Sequence, residues 1–127
     1  VRAAHPDWRI IANGDIGSAE AARQCREVSG CDDLMLGRAA VSEPDLVQRL
    51  REPGRVAMSW DEISAWQLDF LLRMQGSDMG IVGRYKQWLG MTALVYPGAA
   101  ARFQRVKRAR RIAEILAATD SDDLSPE

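Results

Sequence analysis

The apolar and polar positions follow a strand-and-helix pattern in the first part of the chain. Trp8–Ala12 is an apolar run that ends at Asn-Gly-Asp, which predicts a short strand followed by a turn. Ser18–Val28 has helical spacing, with a serine suited to cap its start and with Gly30 as its C-terminal stop. Leu34–Leu36 is a second short apolar run. The pattern therefore predicts strand, helix, strand and short helix over residues 8–50.

Beyond the turn at residues 52–54 the pattern is helical only. Ser59–Glu62 has the form of a capping box and opens the first helix of this part. A second helix is predicted from about residue 80 to residue 95, where the proline at position 97 stops it. A third helix is predicted in the last stretch, and its spacing allows a break between residues 106 and 110. The apolar stripes of the first and third helices are Ile63, Trp66, Phe70 and Met74, and Phe103, Val106, Ala113 and Leu116.

The two predicted strands do not make a complete sheet. Two strands joined by one helix run parallel, and a parallel pair needs both faces covered and both edges protected. We therefore expect residues 1–55 to be the end of a larger α/β domain, and the chain to be a C-terminal fragment. Residues 56–120 are predicted to form an all-helical domain, and residues 121–127 an acidic tail.

Composition excludes several classes of protein. The 127-residue chain is 46% hydrophobic and has a formal net charge of −1, which is typical of globular material. No apolar run approaches the roughly 18 to 20 residues of a membrane span, and no signal peptide is evident, so we expect a cytoplasmic protein with no membrane partner. Cys25, Cys31 and His5 are too few soft ligands for a structural metal site. Neither cysteine has a local histidine to activate it, so both are expected to be ordinary thiols.

Two loops of the first part share the features of a phosphate site. In a (β/α)8 barrel the loops after strands seven and eight often bind phosphate at the carboxyl ends of the strands. Asn13-Gly14-Asp15 follows the first predicted strand, and Gly37-Arg38 follows the second. Glycine lets a ligand approach the backbone, and arginine offers a planar set of donors. We interpret the pair as one cradle, in which the Asp15 N–H binds the anion and its carboxylate turns toward the helix N-terminus. The alternative is an ordinary turn and an ordinary strand end.

A longer stretch around these loops resembles a known family. Residues 12–46, ANGDIGSAEAARQCREVSGCDDLMLGRAAVSEPDL, resemble the last βαβ unit of the tRNA-dihydrouridine synthases, flavoenzymes with an FMN-binding barrel and a C-terminal helical bundle. Residues 84–107, RYKQWLGMTALVYPGAAARFQRVK, resemble the C-type enzymes. The resemblance implies an α/β plus all-α fold class, namely the C-terminal βαβ portion of a TIM (β/α)8 barrel followed by a helical bundle.

The resemblance also implies a cofactor and a reaction. In that family the FMN phosphate is held by residues that correspond to Asn13, Gly14, Asp15, Gly37 and Arg38. Position 39 is commonly glycine in the family and is alanine here. Such enzymes reduce a D-loop uridine of tRNA, uridine 16 in C-type members, with hydride from FMN and a proton from a cysteine, and NADPH reduces the flavin again. Cys25 and Cys31 do not match that cysteine. We therefore expect the catalytic cysteine in the N-terminal part of the barrel and no catalytic residue in this chain, which should be inactive alone.

Residues 79–113 carry a strong local excess of positive charge. This segment has eight lysines and arginines and no acidic residue, although the whole-chain charge conceals it. Such an excess indicates contact with a phosphate backbone, so tRNA is the expected partner. The alternative is a solvated helix surface. The eight basic residues are Arg84, Lys86, Arg102, Arg105, Lys107, Arg108, Arg110 and Arg111.

Individual tRNA contacts follow from the C-type resemblance and from helical spacing. The resemblance assigns tRNA contact to Arg84, Lys86 and Lys107. Helical spacing adds Arg105, which lies three residues before Arg108 and can act with it. Where the C-type pattern has a tyrosine, this chain has Met91, which removes one expected contact. Trp88 is expected to be a core residue rather than a base-stacking one.

Two other functions remain open at this stage. Another FMN- or sugar-phosphate-binding barrel enzyme would contain the paired loops, but it would not explain the acid-free basic segment. A helical RNA-binding module would explain that segment, but it would leave the two loops without a role.

Overall fold

The computed structural model describes residues 1–123 of the chain. It divides into two compact units, which we call unit 1 (residues 1–57) and unit 2 (from Met58 onward). In the described residues, no helix has both the length and the apolar character that a membrane crossing demands.

Unit 1 contains a two-stranded parallel sheet, one long helix and two short helices. The strands are paired in register, with Ile11 opposite Asp33 and Asn13 opposite Met35. This confirms the predicted parallel strand–helix–strand unit, although each strand has three residues and Asn13 belongs to the strand rather than to the turn. The elements in chain order are β1 (Ile11–Asn13), α1 (Ala19–Ser29), β2 (Asp33–Met35), α2 (Arg38–Ser42) and α3 (Leu46–Arg51).

The two ends of α1 are closed as the sequence predicts. The Ser18 side-chain oxygen accepts a hydrogen bond from the Ala21 N–H at 3.1 Å. Gly30 adopts a left-handed conformation with φ 69° and donates its N–H to the Arg26 carbonyl. These caps fix the length of the helix that connects the two strands.

Only one face of the sheet is covered by another element of unit 1. Ala12 and Leu34 are half-buried on the face that α1 packs against, whereas Ile11 and Met35, on the opposite face, are 50% and 52% exposed. Both strands are therefore only partly buried, because no described element of unit 1 packs on the second face. Apolar strand residues with one bare face are typical of a sheet that continues with further strands.

Up to residue 123, unit 2 is a bundle of four helices around an apolar core. Its first helix begins with a complete capping box, since Ser59 accepts from the Glu62 N–H and the Glu62 side chain accepts from the Ser59 N–H. Buried side chains from all four helices form the core. Tyr85 and Leu89, both in the second helix of the unit, have 0% exposure. The helices are α4 (Trp60–Arg73), α5 (Asp78–Thr92), α6 (Pro97–Val106) and α7 (Ile112–Asp123).

The buried face of α4 differs from the predicted stripe. Ile63 is fully buried as expected, but Trp66 is 50% exposed and Gln67 is fully buried instead. Gln67 tolerates burial because its side-chain amide donates to the Thr92 hydroxyl at 2.8 Å. Trp88 is half-buried and packs edge-to-face with Phe70, with 5.5 Å between the ring centroids. That contact places Trp88 in the interior packing of the bundle.

Arg102 lies inside the bundle rather than on a basic surface. Its side chain is 5% exposed and donates to the Asp122 carboxylate at 2.8 and 3.0 Å and to the Ser64 hydroxyl. Its guanidinium carbon also lies 4.9 Å from the Trp60 ring centroid. One of the eight basic residues therefore serves the fold.

The C-terminal part of unit 2 confirms one prediction and corrects another. The expected break falls between α6 and α7, at residues 107–111. Helix α7, however, continues to Asp123, so residues 121–123 are not a tail. The physical reason is that Asp122 receives ion pairs from two arginines of α6 and that the Ser121 hydroxyl donates to the Ala117 carbonyl. Residues 124–127 of the predicted tail lie outside the described residues.

Candidate functional site

The loops that follow β1 and β2 lie at the same end of the sheet. The strands are parallel and Asn13 is opposite Met35, so Gly14 and Gly37 continue from neighbouring carboxyl ends. A shallow cavity of about 370 Å³ opens between the two loops. Its lining residues are Asn13, Asp15, Ile16, Gly17, Gly37, Arg38 and Ala39. Four of the five residues predicted for a phosphate cradle line this cavity, and Gly14 is adjacent to it.

An ion pair joins the two loops across the cavity. The Arg38 guanidinium donates to a carboxylate oxygen of Asp15 at 3.1 Å, and both side chains are highly exposed, at 84% and 90%. The expectation that the Asp15 carboxylate turns toward the N-terminus of α1 is therefore wrong, because a full positive charge within reach attracts it more strongly than a helix end does. An exposed pair of this kind contributes little stability and exchanges partners readily. An anionic ligand can thus compete with Asp15 for the guanidinium.

The loop between β1 and α1 presents unoccupied backbone donors. Asp15 has a φ of 41°, in the left-handed region that aspartate tolerates better than most residues. Among residues 1–123, no backbone hydrogen bond is donated by Asp15, Ile16 or Gly17. Successive N–H groups in such turns form concavities that suit anions. The donor set around the cavity is therefore cationic and amide in character, as a phosphate requires.

The glycines of both loops leave open space. A Cβ atom added at Gly14 or Gly37 would meet no atom within 4 Å, so the protein itself does not require glycine there. The absence of side chains keeps the backbone accessible to a ligand. At Gly17 an added Cβ would lie 3.9 Å from the Ala39 Cβ, which is ordinary contact. The alanine at position 39 therefore fits beside the cavity without a clash.

Two lining residues were missed by the sequence reasoning. Ile16 is 2% exposed and anchors the loop in unit 1, while Gly17 lies directly before the N-cap Ser18. The signal that would have identified them is their position between the turn and the cap, where a loop must come close to the helix start. The buried Ile16 side chain holds the loop against the body of unit 1.

Arg84 is an exposed basic residue of unit 2. Its side chain is exposed on α5 and lines a cavity of about 220 Å³ with residues 74–77, Gly80 and Ile81. It makes no hydrogen bond or ion pair with another described residue. Its guanidinium is therefore available to a ligand.

Lys86 and Lys107 line one shallow cavity on a different side of α5. The cavity has a volume of about 440 Å³ and includes Met91 and Phe103. The Lys86 ammonium donates to the carbonyls of Lys107 and Ala109 at 3.2 and 2.9 Å, while the Lys107 ammonium donates to Gln104 at 2.8 Å. An ammonium has three donors, so Lys86 keeps one for a ligand.

Arg105 and Arg108 do not share a helical face. Helix α6 ends at Val106, and the chain turns through residues 107 and 108. Arg105 pairs instead with Asp122 of α7 and is 43% exposed. The prediction that Arg105 and Arg108 act as an i, i+3 pair is wrong because the helix that would align them stops between them.

Neither cysteine lines the cavity between the loops that follow β1 and β2. Cys31 is 4% exposed, and its thiol contacts the Ser29 carbonyl at 3.7 Å, while Cys25 is half-buried on α1. Both thiols are free.

Known proteins match this chain over most of its length. The family model described as dihydrouridine synthase (Dus) matches residues 1–84. A tRNA-dihydrouridine(16) synthase of Aquipseudomonas alcaligenes is 40% identical over 119 residues, which cover 85% of this chain and 37% of that protein. The enzyme of the same name from Escherichia coli K12 is 33% identical over 139 aligned positions, covering 97% of this chain and 43% of that protein. The chain spans about two fifths of the length of these relatives.

Proposed function

The chain belongs to the dihydrouridine synthase family, and from that premise we propose that it is a segment of a flavin-dependent enzyme that reduces a D-loop uridine of tRNA to 5,6-dihydrouridine. The relatives named for position 16 support uridine 16 as the substrate. The observation that carries the proposal is the pair of loops at one end of a parallel sheet, with an arginine and unoccupied backbone N–H groups around one cavity.

The proposed cofactor is FMN, held by its phosphate. Arg38 would contact phosphate oxygens in place of Asp15, and the N–H groups that follow Asp15 would donate from the other loop. Gly14 and Gly37 leave the backbone open for that approach, and the Asn13 amide lies at the end of β1. The donor chemistry fits a phosphate group well. The exposed Asp15 carboxylate would move aside as the phosphate takes its place on Arg38.

The flavin would supply the hydride for uridine reduction, and NADPH would then reduce the flavin again. This chain's own part in the reaction is to bind and orient the cofactor and the tRNA. The catalytic cysteine is proposed to lie outside residues 1–127, because Cys31 is buried, Cys25 is half-buried, and neither thiol has an activating partner among the described residues. The bare face of β1 and β2 supports a TIM barrel that the remainder of the enzyme completes.

Unit 2 is proposed to bind the tRNA. Arg84 has an unengaged guanidinium, and Lys107 lies beside Lys86 at the rim of one cavity. Lys86 and Arg105 remain in the proposed contact set, although Lys86 has one donor left and Arg105 shares Asp122 with Arg102. Contacts of this kind recognise the shape of the RNA backbone rather than its sequence.

A graft into a whole relative tests the activity. The aligned segment of the Escherichia coli K12 enzyme is replaced by residues 1–127, and the chimera is produced in cells without their own position-16 synthase. We expect dihydrouridine at position 16 of the recovered tRNA. A chimera that folds and binds tRNA, but yields neither bound flavin nor dihydrouridine, would contradict the proposal.

A second candidate is an RNA-binding module without a flavin role, which the self-contained core of unit 2 favours. A tRNA gel shift with Arg84→Glu plus Lys86→Glu tests the binding that both functions share. We expect weaker binding and a shallower dependence on salt. Unchanged affinity with no salt dependence would contradict tRNA binding under both candidate functions. Flavin retained by the chimera would exclude the second candidate.

A further inference from the structure

The segment between α6 and α7 carries three arginines that the fold does not use. We call residues 107–111 the connector. Arg108, Arg110 and Arg111 are exposed, and none of them makes a side-chain hydrogen bond or ion pair with another residue in the described part of the chain. Glu114, the acidic residue nearest along the chain, also forms no ion pair with them there. The three charges are therefore unneutralised.

The connector is held in place at three points. Ala109 is 6% exposed and belongs to the core of unit 2. The Lys86 ammonium donates to the carbonyls of Lys107 and Ala109. A carboxylate oxygen of Asp78, on α5, accepts from the Ile112 N–H at 3.4 Å, at the start of α7. A short segment anchored in its middle and at its end displays its arginines in a fixed arrangement.

The other basic residues on α6 are engaged within the fold. Arg102 and Arg105 both pair with Asp122. This division separates cations that hold the bundle together from cations that face outward. Arg102, which is 5% exposed, is held inside the bundle, and Arg105 can reach a ligand only from beside its pair with Asp122, whereas the connector arginines have no such partner in the described residues.

We propose that the connector is a phosphate-binding edge for RNA, in which Arg108, Arg110 and Arg111 contact the sugar-phosphate backbone and Lys86 is a positioning residue. This rests on the proposed tRNA function and names contacts within it. The Cα atoms of residues 108 and 111 lie at most about 11 Å apart. That spacing is close to the screening length of about 8 to 10 Å in physiological salt, so the three charges act on one stretch of backbone.

Fixing the connector lowers the cost of binding. A mobile segment must be ordered when it binds, and this loss of entropy weakens the complex. Lys86 removes part of that cost in advance by tying the connector carbonyls to α5. Lys86 therefore contributes to RNA binding through the connector, in addition to the contact that its remaining donor can make.

The test compares two triple variants that lose the same charge. Arg108→Gln, Arg110→Gln and Arg111→Gln are combined in one variant of the chain. The control combines Arg23→Gln, Arg55→Gln and Arg73→Gln, three arginines that are exposed and paired with acidic residues. We expect the connector variant to bind tRNA about ten- to a hundredfold more weakly, and its log–log salt slope to fall by about two to three. The control should bind like the unchanged chain.

Lys86→Met tests the positioning role. We expect faster amide hydrogen exchange across the connector and tRNA affinity about three- to tenfold lower, with Lys86→Arg restoring most of both. In the background of the connector variant, Lys86→Met should cause a smaller loss of affinity than in the unchanged chain, because only its direct contact remains to be lost. An equal loss in both backgrounds would show that Lys86 acts only through direct RNA contact and would overturn the positioning role.

The possible failures are distinguishable. If the unchanged chain does not bind tRNA, the proposed function fails and the connector proposal fails with it. If the unchanged chain binds tRNA and the two triple variants behave alike, only the connector proposal is overturned.

Discussion

The two units differ in how much of their apolar surface they bury. In unit 2, side chains from all four helices meet in one core, and residues such as Leu89 and Ile115 are fully buried. In unit 1, Ile11 and Met35 remain half exposed on the sheet, and the buried apolar residues are Ile16, Ala22, Cys31 and Leu46. The difference teaches that unit 2 has a sequence suited to its own core, whereas unit 1 has a sequence suited to a larger sheet.

The same difference separates the proposed roles. Unit 1 places two loops at a sheet edge, where a barrel would bind a phosphate, and this requires accurate loop positions more than a large core. Unit 2 uses its core to fix helices and a connector that present cations. The following predictions test the contrast, beginning with the largest expected effect.

Matched leucine truncations should cost different amounts in the two units. Leu89 in unit 2 and Leu46 in unit 1 are 0% and 1% exposed. We expect Leu89→Ala to lower the free energy of unfolding of unit 2 by about 4 kcal/mol, because its dense surroundings cannot close the cavity. Leu46→Ala should cost unit 1 about 2 kcal/mol, since the sparser packing relaxes. Hydrogen exchange, read separately in each unit, provides both values, and equal costs would remove the contrast.

Replacing Arg102 should destabilise unit 2 far more than replacing a surface arginine. We expect Arg102→Met to cost about 3 kcal/mol, because the Asp122 carboxylate loses its principal partner in a largely buried place. The control is Arg73→Met, whose pair with Asp69 is exposed and should be worth less than about 0.5 kcal/mol. Urea unfolding of the two variants measures the difference. Similar losses in both would show that Arg102 is an ordinary surface cation.

The two N-caps should contribute similar but unequal amounts. Ser59→Ala removes half of a reciprocal capping box and should cost unit 2 about 1.5 kcal/mol. Ser18→Ala removes a single cap bond and should cost unit 1 about 1 kcal/mol. Thermal unfolding, followed by hydrogen exchange at the two helix starts, measures both. A larger loss at Ser18 would contradict this ranking.

The smallest effect concerns alkaline pH. Burial raises the pKa of the Tyr85 hydroxyl above its usual value, and the nearby Arg102 partly opposes that shift. The unfolded chain then loses this proton first, so the contribution of Tyr85 is present below about pH 10 and is lost as the pH rises through the folded-state pKa. Tyr85→Phe should remove this part of the alkaline loss of stability. Identical alkaline profiles of the two chains would contradict the prediction.

Local signals predicted much of the fold. The caps at Ser18, Gly30 and Ser59 depend on a few neighbouring residues, and the structure confirms each of them. The helix predicted to run to residue 95 ends at Thr92 instead, and Pro97, which was expected to stop it, begins α6. The parallel strand pair followed from one helix between two apolar runs. These features are encoded within a few residues of where they act.

Features that depend on distant partners could not be predicted in the same way. Spacing alone did not show that Gln67 would be buried and Trp66 exposed, because Thr92 of another helix makes that burial possible. The charge pattern also did not distinguish Arg102 and Arg105, which pair within the fold, from the connector arginines. Their partner Asp122 lies about twenty residues away along the chain. At the cavity, both loops were predicted, but the Asp15–Arg38 pair depends on their approach in space.

The central claim is that the two loops of unit 1 bind the phosphate of a flavin. The FMN content of the purified protein tests this claim most directly. In the chimera with the Escherichia coli K12 enzyme, Arg38→Gln is compared with Arg9→Gln, another exposed unit 1 arginine that pairs with Asp33. We predict that the purified Arg9→Gln chimera keeps its FMN, while the Arg38→Gln chimera loses most of it at equal folding and equal protein concentration. Equal FMN content in both chimeras would contradict the claim.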